Sequence, residues 1–366
     1  MSAQQMKKSL ALLLLIRTVL CADPVLAGPG KTGLNFIRLG AGVRQMGMGE
    51  TAVAVADDVN AAFWNPAALG ELKRQEASFL YVSHLESISY QALAYAYPIS
   101  DGKTVAGHLR YFDYGVIAGY DNGGARAPSY GAHDLAASLG YGMALGRDFV
   151  AGTNLKYLSE TIENTTGKAL AADFGFLYRP ETIDWLSRWR FALAMRNLGS
   201  DAKFISQTES LPRSLDLGVA YQAFAQAMTL ALEAHQPRDN DPYASLGGEY
   251  WLYNTLALRL GYRSGRDLGN GLSYGVGLRY KSMQWDFALV DYGDFGKAEQ
   301  VGLTYRFGGV GEDSYQRALG EQQSAHYAEA VLLYLKVLDI NPDHRGARKG
   351  LKEAGELLRK ERAVPQ

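Results

Sequence analysis

Few residues of this sequence stand in a spacing that supports catalysis. Glycines 40, 42, 47 and 49 lack the spacing of a dinucleotide-binding loop, and the chain has neither a Walker A motif nor a His-Glu-x-x-His motif. An acyl-transferring barrel would need a serine, a histidine and an acid on one wall; His108 or His133 could serve, but neither has an evident partner serine. The histidines are scattered, at positions 84, 108, 133, 235, 326 and 344. We therefore predict no enzymatic activity, no bound metal and no cofactor.

The N-terminus has the layout of a secretory signal peptide. Lys7 and Lys8 precede an apolar run, which is followed by small residues ending at Ala27. We predict cleavage after Ala27; the alternative is an unprocessed amphipathic N-terminus, because Arg17 interrupts the apolar run. Cys21 is the only cysteine, so neither an internal disulfide nor a cysteine zinc site can form. The formal net charge of -1 argues against a nucleic-acid partner.

The N-terminal stretch 28–76 contains the motif Asn65-Pro66-Ala67. Asn65 is a good N-cap and Pro66 is favoured at the first helical position, which predicts a short helix over 66–69. This helix either only fixes how the chain enters the first strand, or shifts as a unit to open a path. Asp57 and Asp58, with Asn60, offer too few oxygens for a confident calcium site, so turn residues are the favoured interpretation.

Most of the chain after residue 76 alternates between apolar and polar side chains. Segment 272–280 places Leu272, Tyr274, Val276, Leu278 and Tyr280 on one face, and serine, glycine and arginine on the other. A slip of one residue would put the arginine in the apolar layer, so the orientation of the strand is well determined. No uncharged apolar run after residue 27 approaches the roughly 20 residues of a membrane-spanning helix, but strands of about 10 residues can span as a barrel.

Fourteen segments share this pattern, and we predict an all-β membrane barrel of about 14 antiparallel strands over 77–307. Residues 28–76 then form an N-terminal hatch in the lumen. Tight turns at 100–102 and 146–148 alternate with longer connections at 114–132, 159–168, 199–211 and 264–271, as in outer-membrane barrels. The fourteen segments are 77–85, 90–98, 103–113, 133–145, 148–158, 169–179, 189–198, 212–221, 226–235, 243–251, 255–263, 272–281, 284–292 and 299–307.

A soluble β-sandwich or propeller would also alternate, but its apolar face would be mostly aliphatic. Here aromatic residues crowd the ends of the apolar faces, which is typical of the belts at a membrane interface. The opposite face mixes glycine and alanine with charges of both signs and suits a hydrated lumen. We predict that this lining includes Arg110, Arg196, Arg259, Arg279 and Arg306. An even strand number puts both barrel ends, and with them residues 28–76 and the tail, on the periplasmic side of the outer membrane.

The tail over 313–361 changes to helical spacing. Tyr327, Ala330, Val331, Tyr334 and Leu338 form one stripe before Asn341-Pro342, and a further helix is predicted over 344–360. The pattern resembles the second helix of a tetratricopeptide repeat with its capping helix. A single such unit cannot bury its own face as an array does, so it must dock on the barrel, on itself or on a partner.

The stretch from Leu39 to Asp58, followed by Ala62-Phe-Trp-Asn-Pro-Ala-Ala-Leu69, is similar to the N-terminal signature of the PorV/PorQ family within the FadL-like barrel group. The resemblance covers about 33–307, and its specific part is the first forty residues. It implies a fourteen-stranded barrel whose hatch carries the Asn65-Pro66-Ala67 motif. It also implies a conduit for hydrophobic small molecules across the outer membrane. The alternative function is a component of type IX protein secretion or surface attachment, with the tail binding a periplasmic or exported protein.

Overall fold

A computed structural model describes residues 32–55, 57–83, 88–204, 208–266, 268–308, 310–340 and 344–363. The predicted signal peptide at 1–27 and the helix-stopping pair at 341–342 lie outside these residues. Among the described residues, no helix is long and apolar enough to cross a membrane.

Fourteen antiparallel strands of the described chain form a closed wall. Each strand pairs with the next one, and the last pairs with the first, so the predicted barrel is confirmed. Closure satisfies every ladder hydrogen bond without an open edge, which a hydrocarbon environment requires. The strands are β1 (Gln75–Ser83), β2 (Ser89–Ser100), β3 (Lys103–Tyr120), β4 (Arg126–Ala144), β5 (Phe149–Ile162), β6 (Thr165–Tyr178), β7 (Trp189–Gly199), β8 (Ser214–Ala223), β9 (Met228–Pro237), β10 (Tyr243–Leu252), β11 (Leu256–Arg263), β12 (Leu272–Tyr280), β13 (Met283–Asp291) and β14 (Lys297–Phe307).

The alternation of side chains follows the wall. On β12, Tyr274 and Val276 are 48% and 44% exposed on the outside, whereas Ser273 is fully buried inside. The outward set of the whole barrel is leucine, valine, phenylalanine, tyrosine and tryptophan. A surface of this composition is stable only where hydrocarbon, and not water, is its solvent.

The two ends of the barrel differ in their connections. At one end, here called the turn end, β2–β3, β8–β9, β10–β11 and β12–β13 are joined by short turns; Tyr253 and Asn254 take the left-handed conformation that a tight hairpin needs. The opposite end is called the loop end. The predicted loop 114–132 is wrong: β3 and β4 continue to Tyr120 and from Arg126 as a two-stranded ribbon above their neighbours. Its residues pair with each other, which a sequence pattern based on burial cannot show. The predicted longer connection 159–168 is wrong as well, because β5 runs to Ile162 and β6 begins at Thr165.

Residues 32–72 fill the barrel interior and are called the hatch. They form short elements, namely α1 (Val43–Gly47) and 3-10 helices over Asn35–Arg38, Val59–Phe63 and Pro66–Glu71. Thr32 bonds to Asp239 at the loop end, whereas Glu71 pairs with Arg179 at 3.0 Å at the turn end. The hatch therefore spans the whole lumen. The expectation that the N-terminal stretch lies on the same side as the tail is wrong at its start, because Thr32 lies at the opposite end.

The tail consists of three helices, α2 (Val310–Gln323), α3 (Tyr327–Ile340) and α4 (Arg345–Ala363). The sequence patterns predicted α3 and α4, whereas α2 was missed because its residues are mostly polar. The three helices share a core of Ala318, Ala330, Tyr334, Val337, Ala347 and Ala354. Of the predicted stripe, Ala330 and Tyr334 are fully buried there. The tail therefore packs largely on itself, and its likeness to a tetratricopeptide repeat stays a prediction.

We predict that an arginine on the outer face costs stability according to its depth. Val276→Arg, at the middle of β12, should lower the free energy of unfolding by about 2–4 kcal/mol, because the charge must enter hydrocarbon. Tyr280→Arg, at the turn end of the same face, should cost about 0–1 kcal/mol. Denaturant titration of barrels folded in lipid vesicles measures both. Equal costs at the two positions would contradict the membrane orientation.

Candidate functional site

The Asn65-Pro66-Ala67 motif is a helix cap that also ties the hatch together. The Asn65 side-chain oxygen accepts from the Ala67 N–H at 3.0 Å, and Pro66 opens the short helix, as the sequence predicts. The Asn65 amide also donates to the Val53 carbonyl at 2.8 Å and to the Phe176 carbonyl of β6 at 3.3 Å. The motif therefore joins two hatch segments to the wall.

Asp57 and Asp58 do not converge as metal ligands. Asp58 Oδ1 accepts from the N–H groups of Asn60 and Ala61 at 2.8 and 3.1 Å, which caps the helix that begins at Val59. Asp57 pairs with Arg44 of α1. Asp58 therefore acts as a helix cap, and Asp57 as an ion-pair partner of α1.

Wall carboxylates hold the hatch from the inside of the barrel. Glu233 of β9 accepts from the Val53 N–H at 2.6 Å, and Glu76 of β1 accepts from the Val59 N–H at 3.0 Å. Glu249 of β10 binds the Arg44 guanidinium through both oxygens, at 2.7 and 2.8 Å. The sequence places these acids on the lumen face but does not identify the hatch groups they bind, because those lie up to 205 residues away.

The five predicted lining arginines are largely engaged in the same interior. Arg110 faces the carbonyls of Ile37 and Leu39, and Arg196 pairs with Asp216 at 2.7 Å; these two arginines and Arg259 are buried. Arg110 and Arg259 are surrounded by packed hatch and wall, so a hydrated lining does not describe these two, whereas Arg196 borders the loop-end cavity.

The remaining contacts of the five predicted lining arginines are with residues of the barrel wall. Arg259 bridges Glu249 and Asp286, each at 2.7 Å, and Arg306 pairs with Glu76 at 2.9 Å. Arg279 bonds to Gln284 at 3.0 Å, and is only partly buried.

Glycines of the wall allow the hatch backbone to touch the strands. A Cβ atom at Gly152 of β5 would lie 2.2 Å from the Pro66 carbonyl oxygen. At Gly175 of β6 it would lie 1.9 Å from the Asn65 side-chain oxygen. The glycine-rich lumen face thus reflects close packing against the hatch motif.

A cavity of about 430 Å³ lies above the hatch at the loop end. The hatch contributes Arg38, Met46 and Glu50 to its walls, and the barrel contributes both acidic and basic side chains. Glu50 pairs with Arg263 and Arg266 at 2.6 and 2.7 Å, which fixes the hatch at the base of the cavity. The barrel residues of its walls include Arg196, Asp216, His235, Asp239, Tyr243, Arg263, Arg266 and Tyr292.

Several solved structures share the architecture of this barrel at low sequence identity. The toluene transporter TbuX of Ralstonia pickettii superposes with a TM-score of 0.54 at 13% identity, over 74% of this chain and 99% of that one. A FadL homologue of Pseudomonas aeruginosa gives 0.51 at 12% identity, over 74% and 99%. The monoaromatic hydrocarbon channel CymD gives 0.54 at 11% identity, over 76% and 100%.

The family follows from the sequence. The sequence model described as "Type IX secretion system protein PorV" matches residues 30–234, more than half of the chain, and the chain belongs to this family. No functionally curated protein shows significant similarity to it. The predicted resemblance is thereby confirmed.

We predict that acid favours the closed hatch through Asp58. Burial raises the pKa of Asp58 to about 6, so the closed hatch takes up a proton between pH 7 and 5, whereas a released hatch would do so near pH 4. Asp58 alone should raise the closed-to-open ratio about tenfold over this range. Conductance of the barrel in planar bilayers should fall accordingly, and less so in Asp58→Asn.

Glu50 does not interfere in this pH range. Burial alone would raise the pKa of Glu50, but Arg263 and Arg266 outweigh it and lower the value. Its stabilising contribution is therefore lost only below about pH 4.5. A pH response of the same size in Asp58→Asn would contradict the assignment to Asp58.

Proposed function

We propose that the protein is a conduit for hydrophobic small molecules across the outer membrane, gated by the hatch. The observation that carries this proposal is that a separate segment, and not the wall, fills the lumen of a complete barrel. A ligand would enter the cavity at the loop end and pass the hatch toward the periplasm as the hatch shifts.

The contacts of the hatch suit a segment that moves as a unit. Its polar hold on the wall consists of a limited number of anchors, chiefly those of Arg44, Glu50, Val53 and Val59. Buried ion pairs of this kind are close to neutral in net energy, so exchanging them for water costs less than breaking an apolar core. The rest of the contact is backbone against wall glycines together with apolar packing, in which Phe36 of the hatch meets Phe112 of β3 edge-on.

The structural neighbours support the same class of cargo. They are described as a toluene transporter, as monoaromatic hydrocarbon channels and as a FadL homologue. The cavity of this chain adds charged groups to apolar ones such as Leu39, Met46 and Leu268. It would therefore accept a molecule with an apolar body and one polar group.

We predict that fixing the hatch to the wall stops uptake. The Val43 Cβ of α1 lies 3.5 Å from the Cβ position of Gly302 on β14, within the range of a disulfide. The double variant Val43→Cys/Gly302→Cys, made without Cys21, should lose uptake of a radiolabelled long-chain fatty acid or of toluene by at least about tenfold when oxidised. Reduction of the disulfide should restore it.

The single variants serve as controls and should transport normally under both redox conditions. Undiminished uptake by a barrel shown to be fully cross-linked would overturn the gating role of the hatch.

A second candidate is a component of type IX protein secretion or surface attachment, in which the tail binds a periplasmic or exported protein. The family match and the three added helices favour it. Part of the tail surface is apolar and exposed. Leu332 and Leu335 of α3 are 67% and 49% exposed and lie one helical turn apart.

We predict opposite outcomes for the two functions on removing the tail. Ending the chain at Gly308 should leave uptake of small molecules unchanged if the barrel is a conduit, because β14 ends at Phe307. If secretion is the function, the same truncation should abolish export of surface proteins, measured by cell fractionation and mass spectrometry. Leu332→Ser/Leu335→Ser, which leaves the barrel intact, should then reproduce the defect.

A further inference from the structure

Three polar residues of the loop-end wall form a chain of hydrogen bonds. Ser245 Oγ lies 2.9 Å from His235 Nε2, and His235 Nδ1 lies 2.8 Å from Asp216 Oδ1. Because a carboxylate only accepts, the proton between His235 and Asp216 sits on Nδ1, which leaves Nε2 free to accept from the serine hydroxyl. Nucleophile, base and orienting acid are connected in this way in serine hydrolases.

The three residues come from adjacent strands and share the inner face. Asp216 lies directly opposite His235 in the pairing of β8 with β9, and Ser245 is on β10, diagonal to His235. Asp216 is held further by Arg196 at 2.7 Å and Ser214 at 3.0 Å, so its carboxylate is fixed in place. The sequence did not reveal this set because the residues are 19 and 10 positions apart and only strand register brings them together.

A donor for a developing negative charge lies beside the serine. Arg263 of β11 is the cross-strand neighbour of Ser245, and its Nε is buried without a hydrogen-bond partner among the described residues. The guanidinium lies over the Tyr243 ring at 4.2 Å, and that ring stacks on His235 at 4.5 Å. The arginine is thus positioned against the same cluster, and a buried unpaired donor is costly unless something binds it.

The loop-end cavity reaches this cluster, and the hatch closes it. His235, Asp216, Tyr243 and Arg263 lie on the cavity wall, whereas Ser245 is only 1% exposed. Hatch residues are anchored on both cross-strand neighbours of the serine: the Val53 N–H on Glu233 and Glu50 on Arg263.

We propose that Ser245, His235 and Asp216 form an acyl-transfer site that hydrolyses carboxylic esters entering the loop-end cavity when the hatch shifts. His235 Nε2 takes the proton of Ser245 as its oxygen attacks the ester carbonyl carbon, and Arg263 Nε donates to the resulting oxyanion. The bond to the alcohol oxygen then breaks, and the alcohol leaves with the proton from His235. Water attacks the acyl-serine with His235 as base, which releases the carboxylic acid and regenerates Ser245.

The test uses the purified full-length protein in detergent with a fluorophosphonate probe, followed by peptide mass spectrometry. We expect covalent labelling of Ser245 and a loss of at least about tenfold in the labelling rate in His235→Ala. Glu50→Ala removes two ion pairs of the hatch and should speed labelling several-fold. Hydrolysis of p-nitrophenyl esters should follow the same order.

Ser273 provides a matched control. It is a fully buried inward serine of β12, within Gly271-Leu-Ser-Tyr-Gly275, and its hydroxyl has no hydrogen-bond partner among the described residues. Ser273→Ala should label like the wild type, and Ser245→Ala should not label. If Ser245 stays unlabelled in both wild type and Glu50→Ala, while heat-modifiable electrophoretic mobility shows folded barrels, the proposal is overturned.

Discussion

Because hydrocarbon surrounds the barrel, the charged side chains within the membrane must point into the barrel interior. Each strand of about ten residues must present mainly leucine, valine or an aromatic residue outward, so most acids and bases of the wall face the lumen. A lumen that is also packed has no water to solvate them. The hatch supplies the missing partners: backbone N–H groups for Glu76 and Glu233, and Arg44 for Glu249. Barrel and hatch are therefore one electrostatic unit, in which neither part is satisfied without the other.

The same constraint explains why the hatch is irregular. Its short helices expose N–H groups at their beginnings, and these are bound by Asp58, Asn65 and the wall carboxylates. A regular long helix would satisfy its own backbone and leave the wall acids unpaired. Buried polar contacts of this type stabilise little in net terms, but they define one arrangement and make a wrong one costly.

The wall was predictable from the sequence, because a period of two needs only local residues. In segment 272–280, five apolar residues and one arginine indicate which side chains point outward, and the structure agrees. The cap formed by Asn65 and Pro66 was predictable for the same local reason. The ribbon above β3 and β4 was not, since its residues are not sorted by burial.

Contacts that depend on barrel closure and strand register could not be predicted from the sequence. Glu249 reaches Arg44 only because β10 faces α1 across the lumen, and His235 meets Ser245 only through the pairing of β9 with β10. The glycines were ambiguous as well: Gly152 fits a hydrated channel or a tight contact equally, until Pro66 is placed against it. A single sequence does not show which distant segment fills the space beside a glycine, where other residues have a side chain.

The path of the hatch gives the molecule a direct mechanical link between the two faces of the membrane. Thr32 is attached to Asp239 at one face, and about forty residues later the same backbone becomes β1 at the other, beside the junction with the tail. The loop-end cavity and the junction with α2 are thus connected by one continuous stretch of backbone, which is anchored to the wall at Arg44, Val53 and Val59 on its way.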